Sequence, residues 1–236
     1  MAQAAPGSVL LPESIARINA RDGAEHDITS FEPGNTALLV IDMQNFYMVE
    51  GNPSFCAPAL PLVPVINRLA TASRHAGVEV IWLRNVTNPD VFRSWSNFYG
   101  RMKPDRLADR KANLAQDSEG FQIWPELDVR DEDPTLNKTR YSAFIEDASN
   151  IRTVLAERAI DTLILCGIVT NVCVDSTARD AMMLNYRVLI AEDACASASA
   201  AGHSAALNTF YTNFGDVQMT DAIIENLGGE AVAAAQ

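Results

Sequence analysis

Several short runs of apolar residues, with almost no polar alternation, constrain this chain most. Ala37-Leu38-Leu39-Val40-Ile41 lies inside Thr36 to Asp42, and Val78 to Leu83, Thr162 to Cys166 and Val188 to Ala191 read the same way. A strand with one wet face alternates apolar and polar residues. A strand apolar at nearly every position is covered on both faces, as in a parallel sheet sandwiched by helices. Thr135 to Asn137 reads as a further short strand at an edge. The stretches between the runs supply the covers. Leu62 to His75 puts Val65, Ile66, Leu69 and Ala72 on one helix face and stops at Gly77. Ala148 to Arg158 offers Ile151, Val154 and Leu155, and Val172 to Leu184 offers Cys173, Ala178, Ala181 and Met182. Ser199 to Tyr211 and Asp221 to Leu227 read as two more helices. Strands alternating with helices predict an α/β fold: a doubly wound parallel sheet in a three-layer α/β/α arrangement.

The 236 residues divide into an N-terminal arm over 1–34, a single domain over 35–228 and a tail over 229–236. The arm lacks sustained periodicity and holds Pro12, Pro33 and Gly34; a short helical turn is expected around Glu13 to Asn19. Asn88 to Pro134 is long for a loop, and its Phe92, Trp95, Phe98, Tyr99, Phe121 and Trp124 argue against disorder. That stretch is expected to be functional or partly helical. No run of about 18 apolar residues occurs, so no membrane span is predicted. A net charge of −12 lacks the basic face that phosphate binding needs, so no nucleic-acid partner is predicted. Met1 to Gly7 carries neither a basic cluster nor a long apolar run, which predicts a cytoplasmic protein without a signal peptide. Cys56, Cys166, Cys173 and Cys195 form no C-x-x-C pair and have no histidine at zinc-finger spacing. They read as reduced thiols, with no metal and no cofactor expected.

One of these thiols stands apart. Cys173 closes Gly167-Ile168-Val169-Thr170-Asn171-Val172-Cys173, directly after a buried strand and at the first turn of a predicted helix. The helix dipole favours a thiolate there. Asp42 ends the first apolar run, and Lys138 opens Lys138-Thr139-Arg140-Tyr141-Ser142. Taken singly, Asp42 reads as a turn cap, Lys138 as a solvated lysine and Cys173 as core. Open α/β sheets bind ligands beyond the carboxyl ends of their strands, where the strand order reverses. If the first strand and the Leu163 strand flank that point, Asp42 and Cys173 become neighbours.

Three segments together resemble the isochorismatase-like cysteine hydrolases: Leu39-Val40-Ile41-Asp42-Met43-Gln44-Asn45, Lys138-Thr139-Arg140-Tyr141-Ser142-Ala143-Phe144, and Gly167 to Cys173 continued by Val174-Asp175-Ser176-Thr177-Ala178-Arg179-Asp180-Ala181. The resemblance covers about Asn35 to Leu227. It implies a six-stranded parallel sheet with helices on both faces and a homodimer or homotetramer. It also implies a catalytic triad of Asp42, Lys138 and Cys173. An oxyanion hole would form from the backbone N–H groups of Val169 and Cys173, with a cis peptide at Ile168–Val169. The chemistry is coherent beside it. A free thiol has a pKa near about 8.5. Asp42 would take its proton and return it to the leaving nitrogen. Lys138 would favour the thiolate and hold Asp42 ionised. Sulfur would attack an amide or ureido carbonyl, the amine would leave, and water would hydrolyse the thioester.

Within that family, isochorismatases lack the cysteine. Nicotinamidases add a metal-binding Asp-x-His and a further histidine after the second strand. The matching stretch, Asn85-Val86-Thr87-Asn88-Pro89-Asp90, has no histidine, and none occurs between His75 and His203. The motifs look most like ureidoacrylate and N-carbamoyl amidohydrolases. The expected substrate is therefore a small linear amide or ureido compound. Maleamate, biuret, a nicotinamide-like amide or a lactam are alternatives, as is a non-catalytic binding protein of the same fold. Gln44 and Asn85 are candidates to bind the amide or ureido oxygen. Arg140 is a candidate for a substrate carboxylate or for backbone carbonyls. Trp95, Phe98 and Tyr141 line the pocket or pack a lid. Arg179 and Asp180 are expected to form helix pairs; His26, His75 and His203 are expected to be structural or surface residues. The stretch Phe92-Arg93-Ser94-Trp95-Ser96-Asn97-Phe98 departs from the ureidoacrylate pattern in spacing, which leaves the substrate open.

Overall fold

The apolar runs are strands, and the computed structural model describes them within Ala5 and residues 7–228. They are β1 (Thr36–Ile41), β2 (Glu79–Asn85), β3 (Thr135–Lys138), β4 (Thr162–Ile168), β5 (Arg187–Ala196) and β6 (Asp216–Gln218). All pair in parallel, in the order β3-β2-β1-β4-β5-β6. Every residue of β1 and β4 is buried, which is why neither sequence alternates. Leu38 sits between Val80 of β2 and Ile164 of β4. The chain starts at the centre, steps outward through β2 to the edge strand β3, then crosses back to β4. The strand order therefore reverses between β1 and β4, and a crevice opens beyond their carboxyl ends.

The helices are α1 (Pro12–Asp22), α2 (Asn45–Met48), α3 (Leu62–Ala76), α4 (Pro89–Ser94), α5 (Ser96–Tyr99), α6 (Pro104–Asn113), α7 (Ile151–Glu157), α8 (Asp175–Met183), α9 (Ala200–Asn213) and α10 (Thr220–Asn226). The helices α3 and α10 pack together and on the central strands; α8 and α9 pack together and on β5. Gly77 ends α3 at φ 84°, its N–H bonded to Arg74 O and Ser73 O, an end that glycine makes without steric penalty.

Two regions differ from the sequence reading. β6 is three residues long with polar Asp216 and Gln218 at its ends, so no apolar run announces it. Those polar groups are nonetheless buried. The segment before β1 satisfies them: Ile28 N–H donates to Asp216, and Gln218 Nε2 donates to Ile28 O at 2.7 Å. The arm holds a full helix rather than one turn. Ile15 and Ile18 of α1 enter the core against α9, and Ser8 and Val9 both donate to the buried Glu192 carboxylate. The expected tail, 229–236, lies outside the described residues.

The aromatic stretch after β2 is partly helical. Asn88 caps α4 by accepting from Val91 N–H, and Pro89 fits its first turn. The irregular part that follows α6 is stitched to the chain just past β1. Asn45 N–H donates to Gln122 O, Phe46 N–H to Gly120 O and Trp124 N–H to Met43 O, each at 2.9 Å. Among the described residues no helix is long and apolar enough to cross a membrane.

Candidate active site

Three side chains converge at the reversal point. Asp42 follows the last residue of β1. Its backbone leaves the strand with a positive φ of 55°, a region that aspartate tolerates better than most residues, while its N–H still donates to Leu83 O of β2. Lys138 ends β3, in register with Asn85 of β2, and is wholly buried. Its ammonium reaches past the end of β2, standing 2.7 Å from Asp42 Oδ2 and donating to Arg140 O at 3.1 Å. Cys173 lies in a wide π-type turn, Thr170–Val174, that joins β4 to α8. Such turns recur at functional sites because the extra residue re-aims a side chain.

Gly167 makes the approach of β4 to β1 possible. It adopts φ +106°, and a Cβ there would stand 2.2 Å from Ile41 O. Only glycine lets the two backbones come this close. The pairing of β4 with β5 shifts register between Leu165 and Gly167, and the Ile168–Val169 peptide is cis.

Asp42, Tyr141, Val169 and Cys173 all line one cavity of about 300 Å³. Its electrostatics differ from a thiolate poised by a helix dipole. Cys173 is 5% exposed. Burial, reinforced by the Asp42 charge, pushes its thiol up to about 12, and Lys138 opposes this without reversing it. Lys138 is also penalised by burial, but the Asp42 charge opposes the penalty and favours the ammonium. The resting site is thus a neutral thiol beside a carboxylate–ammonium pair. Both Asp42 oxygens are buried; Oδ2 is held by the Lys138 ammonium, and Oδ1 has no partner in the protein and is open to a proton donor.

The other anticipated residues sort into three groups. Tyr141 lines the cavity. Trp95 and Phe98 stack with centroids 4.2 Å apart and meet Tyr141 edge-on at 5.0 and 5.4 Å, so they back the cavity wall rather than form it. Gln44 is fully buried, and its carboxamide is committed to the main chain: Nε2 donates to Asn85 O and Phe121 O, and Oε1 accepts from Asn85 N–H. It clamps the ends of β1 and β2 together. Asn85 is buried at the end of β2 and is not among the cavity-lining residues. Arg140 turns away from the cavity. It donates to Thr139 O and Ser94 Oγ and lies 5.1 Å over the Trp95 ring.

Sequence reasoning missed several lining residues, chiefly Tyr47 of α2 and Arg106 and Arg110 of α6. The signal was an i,i+4 pair of arginines in an otherwise polar segment. It also missed Ser197, whose hydroxyl donates to Asn171 at 2.8 Å; His203, expected to be structural or at the surface, sets Nδ1 2.8 Å from Thr170 Oγ1. These contacts hold the turn that carries Cys173. Burial depresses the His203 pKa, so the imidazole is neutral.

The sequence profile of the Isochorismatase domain matches residues 36–222. The chain belongs to the isochorismatase family. Among its relatives, the ureidoacrylate amidohydrolase RutB of Acinetobacter baylyi is 31% identical over 85% of this chain and 87% of its own length. A cysteine hydrolase from Pseudomonas syringae pv. phaseolicola 1448A superposes with a TM-score of 0.72 at 28% identity, over 84% of this chain and 94% of that one. An N-carbamoylsarcosine amidase from Thermoplasma acidophilum superposes at 0.63 with 26% identity, over 79% and 97%. The fold of this isochorismatase-family chain, a six-stranded all-parallel sheet flanked by helices, is that of these neighbours.

Proposed function

We propose that this protein is a cysteine-dependent amidohydrolase that cleaves the C–N bond of a small linear amide or ureido compound through a thioester-type intermediate. One observation carries the reading: Asp42, paired with the buried Lys138 at 2.7 Å, lines the same cavity as Cys173. An ion pair kept out of water is a poor stabilising device, because desolvation offsets most of its attraction. Next to a thiol it has a chemical use.

The thiol gives its proton to Asp42 as sulfur bonds to the substrate carbonyl carbon, so no free thiolate need accumulate. The carbonyl electrons move to oxygen, where the N–H groups of Val169 and Cys173 are the proposed donors. Collapse of the tetrahedral species breaks the C–N bond, and Asp42 returns the proton to the departing nitrogen. Water then attacks the acyl carbon, again losing a proton to Asp42; sulfur leaves and recovers that proton. Lys138 keeps its charge throughout and stabilises the carboxylate between transfers.

Ureido acids rank first among substrates because the ureidoacrylate amidohydrolase and the N-carbamoylsarcosine amidase named above are relatives. Ammonia release from a panel of ureido acids, biuret, maleamate and nicotinamide tests the assignment. Turnover that survives Cys173→Ala refutes it. Assembly as a homodimer or homotetramer belongs to the same reading, and light scattering decides it.

A further inference from the structure

The cavity holds a cation that the triad chemistry does not use. Arg106 and Arg110 stand one turn apart on α6 and both line the cavity that Cys173 and Asp42 line. Like charges at this spacing repel, so the arrangement is unfavourable unless something else compensates. Among the described residues, no carboxylate oxygen comes within 4.0 Å of either guanidinium. Other part-buried arginines have protein partners: Arg74 meets Asp128 and Asp133, Arg179 meets Asp175, and Arg84 and Arg140 donate to Asn137 and Ser94 side chains.

Arg110 is the more telling of the two. Its Nε is buried and donates to no protein group. The neighbours that face it are the Phe46 ring, with the guanidinium carbon 5.5 Å from the centroid, and the phenols Tyr47, Tyr99 and Tyr141. Burial raises the pKa of all three phenols, so they stay neutral and leave the positive charge uncancelled. Its backbone is fixed, because Thr87 Oγ1 donates to Arg110 O at 3.2 Å. A half-buried, held guanidinium whose buried Nε has an idle donor calls for an acceptor from outside the protein. Planar oxyanions fit its fork, and a carboxylate does so with two parallel bonds.

We infer that Arg110 is the carboxylate anchor of the substrate pocket, with Arg106 at the mouth drawing the anion in, so that the substrate is an amide or ureido acid rather than a neutral amide. The inference rests on the hydrolase reading above for its chemistry. It gives the −12 chain a local positive potential where an anion must enter. It also moves carboxylate recognition away from Arg140, which is engaged outside the cavity.

The test compares N-carbamoyl-β-alanine with its neutral methylamide. In the wild-type protein kcat/KM is expected to favour the acid by about 100-fold or more, the range of a buried charged hydrogen bond. Arg110→Gln should collapse that ratio toward unity, chiefly through KM for the acid, and Arg110→Lys should restore part of it. Arg106→Gln should lower the ratio only several-fold and flatten its dependence on salt. Equal losses for acid and amide in Arg110→Gln, or a wild-type protein indifferent to the charge, would overturn the anchor. Calorimetric titration of the acid into Cys173→Ala separates the two readings. Binding that depends on Arg110, in a wild-type protein that turns over neither probe, sinks the hydrolase assignment and keeps the subsite. Turnover with no such dependence does the reverse.

Discussion

Asp42 and Cys173 stand just beyond strands whose every residue is buried, whereas Arg106 and Arg110 stand on a ten-residue helix that buries none of its residues. One wall of the cavity is an extension of the core. The other is a surface helix held by a few hydrogen bonds, such as the one from Thr87. A triad whose members come from three strand ends cannot shift without disturbing the sheet. A helix with no core to defend can change its side chains at little risk to folding. Chemistry and selectivity are thereby assigned to parts of different rigidity, and each wall makes separate predictions.

The largest effect belongs to the rigid wall. Cys173→Ala should lower kcat/KM by about 10⁴-fold or more, since the Asp42–Lys138 pair stands beside Cys173 and not beside Cys56, the other thiol that lines the cavity. Circular dichroism and the urea midpoint should stay near wild type, because the substitution removes one atom from a residue that lines a void. A comparable loss with Arg110→Gln for both charged and neutral probes would erase the distinction between the walls.

The resting state of that nucleophile gives the next test. With the thiol pushed up to about 12 by burial and by Asp42, its thiolate fraction is very small at neutral pH and grows as pH rises. Alkylation of Cys173 by iodoacetamide, followed by mass spectrometry, should therefore accelerate about tenfold per pH unit from pH 7 to 10. A rate that levels off below pH 8 would mean that Lys138 already holds a thiolate, and the proton could not then pass from sulfur to Asp42 during attack.

Breaking the ion pair should be the main stability effect. Lys138→Met leaves the Asp42 charge buried without a partner, at a cost of about 3–5 kcal/mol in urea unfolding. Arg110→Met removes a charge that had no partner and should change stability by less than about 1 kcal/mol. Equal destabilisation by the two would show that Arg110 belongs to the structure rather than to the ligand. A smaller loss is expected for Gly167→Ala, about 1–3 kcal/mol, from the contact with Ile41 O. Because that contact would push on the strand end before Asp42, kcat should fall as well.

The two walls were also unequally legible in the sequence. Strands β1, β2, β4 and β5 announce themselves because unbroken apolar runs have few other homes, and Asp42 and Cys173 follow from lying at the ends of two of them. The convergence of Lys138 came from the family pattern, since nothing local marks a lysine on an edge strand as buried. The strand β6 stayed hidden because its polar ends are satisfied by residues nearly two hundred positions away. Gln44 looked like a ligand for the substrate because polar residues near strand ends often are, but the backbone of β2 and the loop near Phe121 take up its carboxamide. Arg106 and Arg110 were passed over for a different reason. A polar helix reads as solvated from its composition, and only the packing of α6 over the crevice turns one face of it inward.

Arg140 offers the smallest and sharpest test, because its motif position made it the arginine to choose for a substrate carboxylate. Its guanidinium is occupied by Thr139 O, Ser94 Oγ and the face of Trp95. Arg140→Gln loses that stacking, worth about 0.5–1 kcal/mol at a part-exposed site. The carbonyl that accepts from Lys138 is main chain and survives the substitution. The acid-over-amide ratio should therefore stay within about threefold of wild type, against the about 100-fold fall expected for Arg110→Gln. A large fall in Arg140→Gln together with an unchanged ratio in Arg110→Gln would put the anchor on the strand-end wall. In that case one rigid element would carry both chemistry and selectivity, and the contrast between the walls would be lost.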